Sequence, residues 1–202
     1  MKKKVIILGS TGSVGEKTFN IFRKDKKNFK VELLSTYSNV KKIIKQAQEL
    51  GVKKIIINNE KEYQKALIKY DHKKIKIFNK FENISQMFKP HEIYYSMISV
   101  SGIDGLKPSV ILPKYSKNLA IVNKESIICG WSIIKKQLIK FKTNFIPIDS
   151  EHYSIFNLLQ NNSISNVEKI YITASGGPFL NLPKKKFKLI KPQNALKHPN
   201  WK

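Results

Sequence analysis

The sequence predicts an α/β protein built on a doubly wound, mostly parallel sheet, with the start of an α+β domain after it. Three observations predict this. Short, continuous apolar runs such as Val5-Ile6-Ile7-Leu8 alternate with longer stretches whose apolar residues fall at helical spacing. The first run ends in a glycine turn, Gly9-Ser10-Thr11-Gly12-Ser13-Val14-Gly15. Later runs end in polar turns, and the carboxyl ends of strands are where ligands collect in an open α/β sheet.

Taken in order, Val5–Leu8 is a buried strand, and Val14, Thr18, Phe19 and Phe22 mark one face of the helix behind it. Val31–Ser35 is the second strand. Val40, Ile43, Ile44, Ala47 and Leu50 stripe the second helix, and Lys54–Ile57 is the third strand. Further strands are expected at Lys76–Phe78, Ile93–Ile98 and Leu119–Val122. After Trp131 an apolar helix passes through Ile134, Leu138 and Phe141 to a strand at Phe145-Ile146, whose end carries Asp149. Tyr153, Ile155, Phe156 and Leu159 suggest another helix, and Lys169–Ile172 a last strand. Successive β-α-β units require parallel strands joined by right-handed crossovers.

The glycine turn carries the first chemistry. Glycines at 9, 12 and 15 allow a tight turn, close approach to a phosphate, and packing of helix on strand, while the helix N-terminus offers free N–H groups. The pattern is GxxGxxG rather than the GxGxxG of the commonest dinucleotide fold, and the alternative is that the glycines only make a tight turn. NAD-dependent members of that class carry an acidic residue at the end of the second strand. Ser35-Thr36-Tyr37-Ser38-Asn39 has none there, which leaves room for a 2′-phosphate and favours NADP.

Two further polar stretches follow strands. Asn123-Lys124-Glu125-Ser126 reads either as an ordinary helix start or as the place where cofactor and substrate meet. Asp149-Ser150-Glu151-His152 sets two carboxylates two residues apart. At the end of a strand both would project to one face and converge on a hard divalent cation such as Mg²⁺ or Mn²⁺. Ser175-Gly176-Gly177 offers hydroxyl and backbone donors to an anion, or is simply a turn.

Composition narrows the class. Lys and Arg number 38 against 14 Asp and Glu, a net charge of +24 that would attract any polyanion. The lysines are spread along the chain, arginine is almost absent, and no nucleic-acid-binding motif is visible, so no specific nucleic acid is expected. The richness in Lys, Ile and Asn fits usage shifted by an AT-rich genome. The single cysteine, Cys129, excludes an internal disulfide and reads as a small packing residue. No run approaches the about 18 apolar residues of a membrane span, and no signal or transit peptide is visible. A soluble, cytoplasmic protein without a membrane partner is expected.

Five blocks, in order, resemble one family: the 1-deoxy-D-xylulose 5-phosphate reductoisomerases of non-mevalonate isoprenoid synthesis. They are Gly9–Gly15, Asn123–Ser126, Asp149–His152, Ser175–Phe179 and His198-Pro199-Asn200-Trp201. The resemblance implies an NADPH-binding Rossmann-like domain over 1–146 and the incomplete beginning of a catalytic domain over 147–202. By family analogy Thr11, Gly12, Ser13 and Val14 hold the cofactor phosphates, and Asn39, Asn123 and Glu125 add cofactor contacts. Asp149 and Glu151 bind Mg²⁺ or Mn²⁺. Lys124, Ser150, Glu151, Ser175 and His198 contact the phosphorylated sugar, with Lys124, Glu151 and His198 closest to the chemistry. Trp201 belongs to a loop that covers the substrate. The reaction implied is a metal-assisted rearrangement of 1-deoxy-D-xylulose 5-phosphate and hydride transfer, giving 2-C-methyl-D-erythritol 4-phosphate, by a homodimer when full length.

Two departures qualify the resemblance. Family members commonly carry a small-basic pair before the Asn, where this chain has Tyr37-Ser38, which weakens the case for a 2′-phosphate contact. They also run about twice as far. Trp201, with almost no chain after it to pack it, reads as a cut end, and these residues alone are expected to be inactive. The rival readings are another NAD(P)-dependent semialdehyde or imine reductase, or a degraded remnant that only binds nucleotide. The first gives no reason for Asp149-Ser150-Glu151.

Overall fold

The computed structural model describes residues 1–71, 73–160, 162–172 and 177–197. β1 (Lys3–Leu8), α1 (Ser13–Lys24), β2 (Phe29–Thr36), α2 (Val40–Leu50), β3 (Lys54–Ile57), α3 (Glu60–Lys69) and β4 (Lys76–Phe78) form the first winding. α4 (Ile84–Met87), β5 (Ile93–Ile98), α5 (Leu106–Ile111), β6 (Ser116–Ile121), α6 (Lys124–Lys140), β7 (Asn144–Pro147) and α7 (Ser150–Leu159) follow. All seven strands pair in parallel in the order β4-β3-β2-β1-β5-β6-β7. The winding reverses between β1 and β5, which opens a crevice at their carboxyl ends.

Period-two alternation along β1 builds both cores. Val5 and Ile7 pack with Phe19, Phe22, Ile43 and Ala47 on one side of the sheet. Ile6 and Leu8 pack with Ile84, Leu112, Ile134 and Leu138 on the other. A strand covered on both faces must be apolar at every position, which is why the runs read as continuous. Each fully buried Ile or Leu contributes about 1.5–3 kcal/mol relative to exposure.

The chain divides into two compact units, Met1–Phe156, which holds this sheet, and Asn157–Lys202. The described part of the second unit consists of 3₁₀ turns at Ile164–Asn166, Gly177–Phe179 and Lys184–Leu189 and one short helical turn, α8 (Pro192–Ala195).

Three expectations are corrected. Lys169–Ile172 is not a strand: within its unit no described segment pairs with it, and Tyr171 is 81% exposed, so neither a ladder nor burial holds it extended. α6 begins at Lys124 rather than after Trp131, because Ser126, Gly130, Ile134 and Leu138 form one buried stripe that continues to the polar first turn. Cys129 falls off that stripe and is exposed, not a packing residue.

Candidate active site

The crevice is a groove of about 930 Å³ walled by the turns that follow β1, β2 and β5 and by the segments beyond β3 and β4. Gly9 makes the first turn at φ 75°, a left-handed conformation that costs glycine nothing. A Cβ at Gly9 would stand 2.5 Å from the Ser99 carbonyl oxygen, and one at Gly15 would overlap the Gly9 carbonyl. These two glycines therefore let β5 and α1 close on the turn. Gly12 is different: a Cβ there would meet only the Gly9 oxygen at 3.4 Å, and Gly12 lines the groove. α1 starts immediately after it with no side chain capping it, so its dipole end faces the groove.

Hydrogen bonds that the sequence reading missed fasten this turn. The Gly9 N–H donates to Ser35 Oγ at 2.9 Å, and Ser99 Oγ donates to the Leu8 carbonyl at 2.6 Å. Ser10 Oγ donates to Gln46 Oε1 at 2.7 Å, while Gln46 Nε2 donates back to the Ser10 carbonyl at 3.0 Å. Thr11 and Thr36 share a hydroxyl contact of 2.6 Å. Gln46 is the polar residue among the buried positions of α2, but the helical spacing does not single it out, since Gln48 flanks the apolar stripe equally.

At the end of β2, Asn39 caps α2, its Oδ1 accepting from the Lys42 N–H at 3.2 Å. The Lys42 ammonium was also missed. It donates to the Thr11 carbonyl at 3.2 Å and pairs with Glu16 at 2.7 Å, bringing a cation to the edge of the turn. Beyond β4, Glu82 pairs with Lys107 of α5, and both line the groove.

Asn123-Lys124-Glu125 is a helix start, and it stands at the carboxyl end of β6. Asn123 precedes α6, is buried, and donates from Nδ2 to the Gly102 carbonyl at 2.5 Å, while its Oδ1 is buried with no partner among the described residues. The side chain occupies the space a Cβ at Gly105 would fill. Lys124 and Glu125 are exposed.

The neighbouring strand delivers the acids. Ile121 of β6 pairs with Pro147 of β7, and the Ile148 N–H donates to the Ile121 carbonyl at 3.0 Å, so Lys124 and Asp149 leave adjacent strand ends. Asp149 and Glu151 do not share a strand face as the sequence suggested. The strand stops at Pro147 and Asp149 caps α7, because its carboxylate binds the His152 N–H at 2.9 Å and turns the chain into a helix. Burial opposes ionisation of Asp149, yet the bonds from His152 outweigh it and hold the carboxyl below its ordinary range. Glu151 is exposed. Its own backbone N–H and the Ser150 hydroxyl, 2.9 Å away, hold its carboxyl low, with Lys124 adding a smaller attraction.

The donor set fits a hard cation. Asp149 Oδ2 is buried and has no hydrogen-bond partner among the described residues, and Glu151 brings a second carboxylate within the same helical turn. The expected contacts at Ser175 and His198, and the Trp201 loop, lie outside the described residues.

Residues 5–130 match the family profile of 1-deoxy-D-xylulose 5-phosphate reductoisomerase, and residues 145–202 match that of its C-terminal domain. The chain belongs to the 1-deoxy-D-xylulose 5-phosphate reductoisomerase family. It is 51% identical over 200 residues to the reductoisomerase of Pelagibacter ubique, covering 98% of this chain and 52% of the relative. Identity to a Wolbachia pipientis reductoisomerase is 39%, over 98% and 50% of the two chains. The chain spans about half the length of the curated relatives it matches. The reductoisomerase of Zymomonas mobilis, solved with NADPH, shares the fold at a TM-score of 0.81 and 24% identity, over 97% of this chain and 52% of that one. A DOX-P reductoisomerase solved with NADPH, fosmidomycin and magnesium superposes at 0.74 and 26% identity, over 98% and 52%. Among the described residues of this chain, no helix is long and apolar enough to cross a membrane.

Proposed function

We propose that this chain supplies the nucleotide site and two metal ligands of an NADPH-dependent reductoisomerase that converts 1-deoxy-D-xylulose 5-phosphate to 2-C-methyl-D-erythritol 4-phosphate. One observation carries the reading: a single sheet edge holds an uncapped helix N-terminus at the β1–β5 crevice and, two strands away, Lys124 beside the Asp149 and Glu151 turn. Reductoisomerases solved with NADPH and magnesium support the choice of ligands.

In this reading the N–H groups at Thr11, Gly12, Ser13 and Val14 bind the pyrophosphate, with Asn39, Asn123 and Glu125 holding the rest of the cofactor. Asp149 and Glu151 hold Mg²⁺ or Mn²⁺, and Lys124, Ser150, Glu151, Ser175 and His198 grip the phosphorylated sugar. Bound NADPH supplies a hydride, and a bound divalent cation polarises neighbouring substrate oxygens. The Lys124 ammonium stabilises negative charge as it develops on a substrate oxygen. Asn123, fixed through Gly102, keeps the β5 loop and the first turn of α6 at one spacing, so cofactor and sugar meet in register. A cytoplasmic homodimer belongs to the same reading by family analogy.

Two carboxylates leave most of a Mg²⁺ shell to water and substrate, so the 202 residues assayed alone are expected to bind NADPH without turnover. Calorimetric titration with NADPH, alongside NADPH oxidation followed at 340 nm with 1-deoxy-D-xylulose 5-phosphate, tests both halves. Absence of NADPH binding by the folded chain overturns the nucleotide assignment; measurable turnover overturns the expected inactivity.

A further inference from the structure

A parallel sheet places the first residue of every strand on one edge, and in this chain that edge is written in lysine. β1 opens on Lys3-Lys4, β2 on Phe29-Lys30, β3 on Lys54, β4 on Lys76 and β6 on Ser116-Lys117. Lys89 and Lys142 stand just ahead of β5 and β7. Six strand spacings make the edge about 29 Å long. Charges that look scattered along the sequence are thus gathered by topology onto the side opposite the crevice. The carboxyl edge is mixed in sign, with Glu82, Asp104, Asp149 and Glu151 among its residues.

Two acids on the amino edge are paired with lysine, while Asp25 and Asp71, ahead of β2 and β4, bond to Asn28 and to the Lys73 N–H. Glu92 pairs with Lys4 at 2.6 Å and Glu32 with Lys30 at 2.8 Å. Lys3, Lys76, Lys114 and Lys117 form no ion pair among the described residues. Lys3 and Lys117, on the strands either side of β5, hold their ammonium groups 4.5 and 5.9 Å from the centre of the same ring, Tyr94. Lys3 is also 6.0 Å from the ring of Phe29.

We propose that this amino-terminal edge binds single-stranded nucleic acid without sequence preference. Phosphates lie along Lys3, Lys117, Lys114 and Lys76, and a base stacks at Tyr94. Rows of cations set around aromatic rings are what single-strand binding uses, because every base has a face to stack and every nucleotide a phosphate to neutralise. The inference does not depend on the reductoisomerase reading, since it uses none of the residues placed at the crevice.

Fluorescence anisotropy of a labelled oligouridylate of about 20 nucleotides, titrated with the 202-residue chain over a range of NaCl concentrations, tests it. Lys3→Glu with Lys117→Glu is expected to weaken binding more than about tenfold and to lower the salt slope by about 1.4. Lys17→Glu with Lys61→Glu makes the same charge change at exposed positions on α1 and α3 and is expected to cost less than about threefold. Tyr94→Leu, which keeps an apolar residue there, is expected to weaken binding about fivefold or more. Lys3→Gln with Lys117→Gln, accepted only with an unchanged circular dichroism melt, repeats the test without reversing charge. Equal weakening by the two charge-reversed pairs overturns the proposal, because affinity then follows net charge and not this edge. Binding to phosphatidylserine vesicles with none to the oligonucleotide overturns it too.

Discussion

A single oxygen of Asp149 receives both groups that His152 offers: the backbone N–H lies 2.9 Å from Oδ1 and the ring nitrogen Nδ1 lies 2.7 Å from it. The other oxygen, Oδ2, is buried and has no partner among the described residues. A cation relieves that deficit. Asp149→Asn keeps a good helix cap and is expected to unfold within about 1 kcal/mol of the parent, while losing the stabilisation that Mg²⁺ or Mn²⁺ gives. Asp149→Ala is expected to lose the cap as well, about 1 kcal/mol. Thermal unfolding with and without metal separates the two; metal stabilisation persisting in Asp149→Asn would remove Asp149 from the site.

The two glycines that precede and open α1 should separate folding from binding. Gly15→Ala forces a methyl into the Gly9 carbonyl and is expected to cost about 3 kcal/mol, read as a lowered denaturation midpoint. Gly12→Ala meets only ordinary contact and should leave stability nearly unchanged. Its methyl would enter the groove where the proposed function seats the cofactor phosphates, so NADPH affinity should fall about tenfold or more. Unchanged affinity in Gly12→Ala would place the cofactor elsewhere.

Lys42 is the cation beside Thr11 at the end of β2, where Tyr37-Ser38 carries no base. If it meets the 2′-phosphate, Lys42→Met should weaken NADPH about tenfold and NADH little, the size of one charge-assisted hydrogen bond. Parallel titrations with both nucleotides check this. Equal losses would mean that Lys42 only braces Glu16.

The Lys4–Glu92 bond joins β1 to the residue before β5. Its ammonium, with the Lys89 backbone N–H, holds the Glu92 carboxyl below its ordinary range. A lowered folded-state value means the stabilisation is present above the unfolded value and lost as pH falls through the folded one. Glu92→Gln should therefore cost up to about 1 kcal/mol at pH 7, discounted for partial exposure, and nothing once the carboxyl is protonated in both states. Urea unfolding at about pH 7 and about pH 3 measures the difference. A cost that stays constant with pH would show that the charge is irrelevant.

The strands were legible because burial on both faces makes them continuous runs, and the glycine turn because its steric demands are local. What stayed hidden depended on the fold. Nothing in the order of residues says that Gln46 will reach Ser10, or that Lys42 will reach Thr11, because each contact crosses from α2 to the turn after β1. The acid pair was legible as chemistry but its geometry was misread: Asp149 competes as a helix cap, and that local bond ends the strand. Lys169–Ile172 shows the converse, a strand-like run to which the described residues of its unit provide no partner.

The break in α6 has a consequence for where Lys124 takes its bearings. Gly130 leaves helical geometry at φ −132°, and the Leu106 side chain from α5 occupies the space beside it. The helix is therefore two rods. The long one is anchored on the sheet through Ile134 and Leu138, whereas the short one, with Lys124 at its tip, is aimed by α5, which also presents Lys107 to the groove. Lys124 is thus trued against the wall of the groove, like a tool set to the jig rather than to the bench.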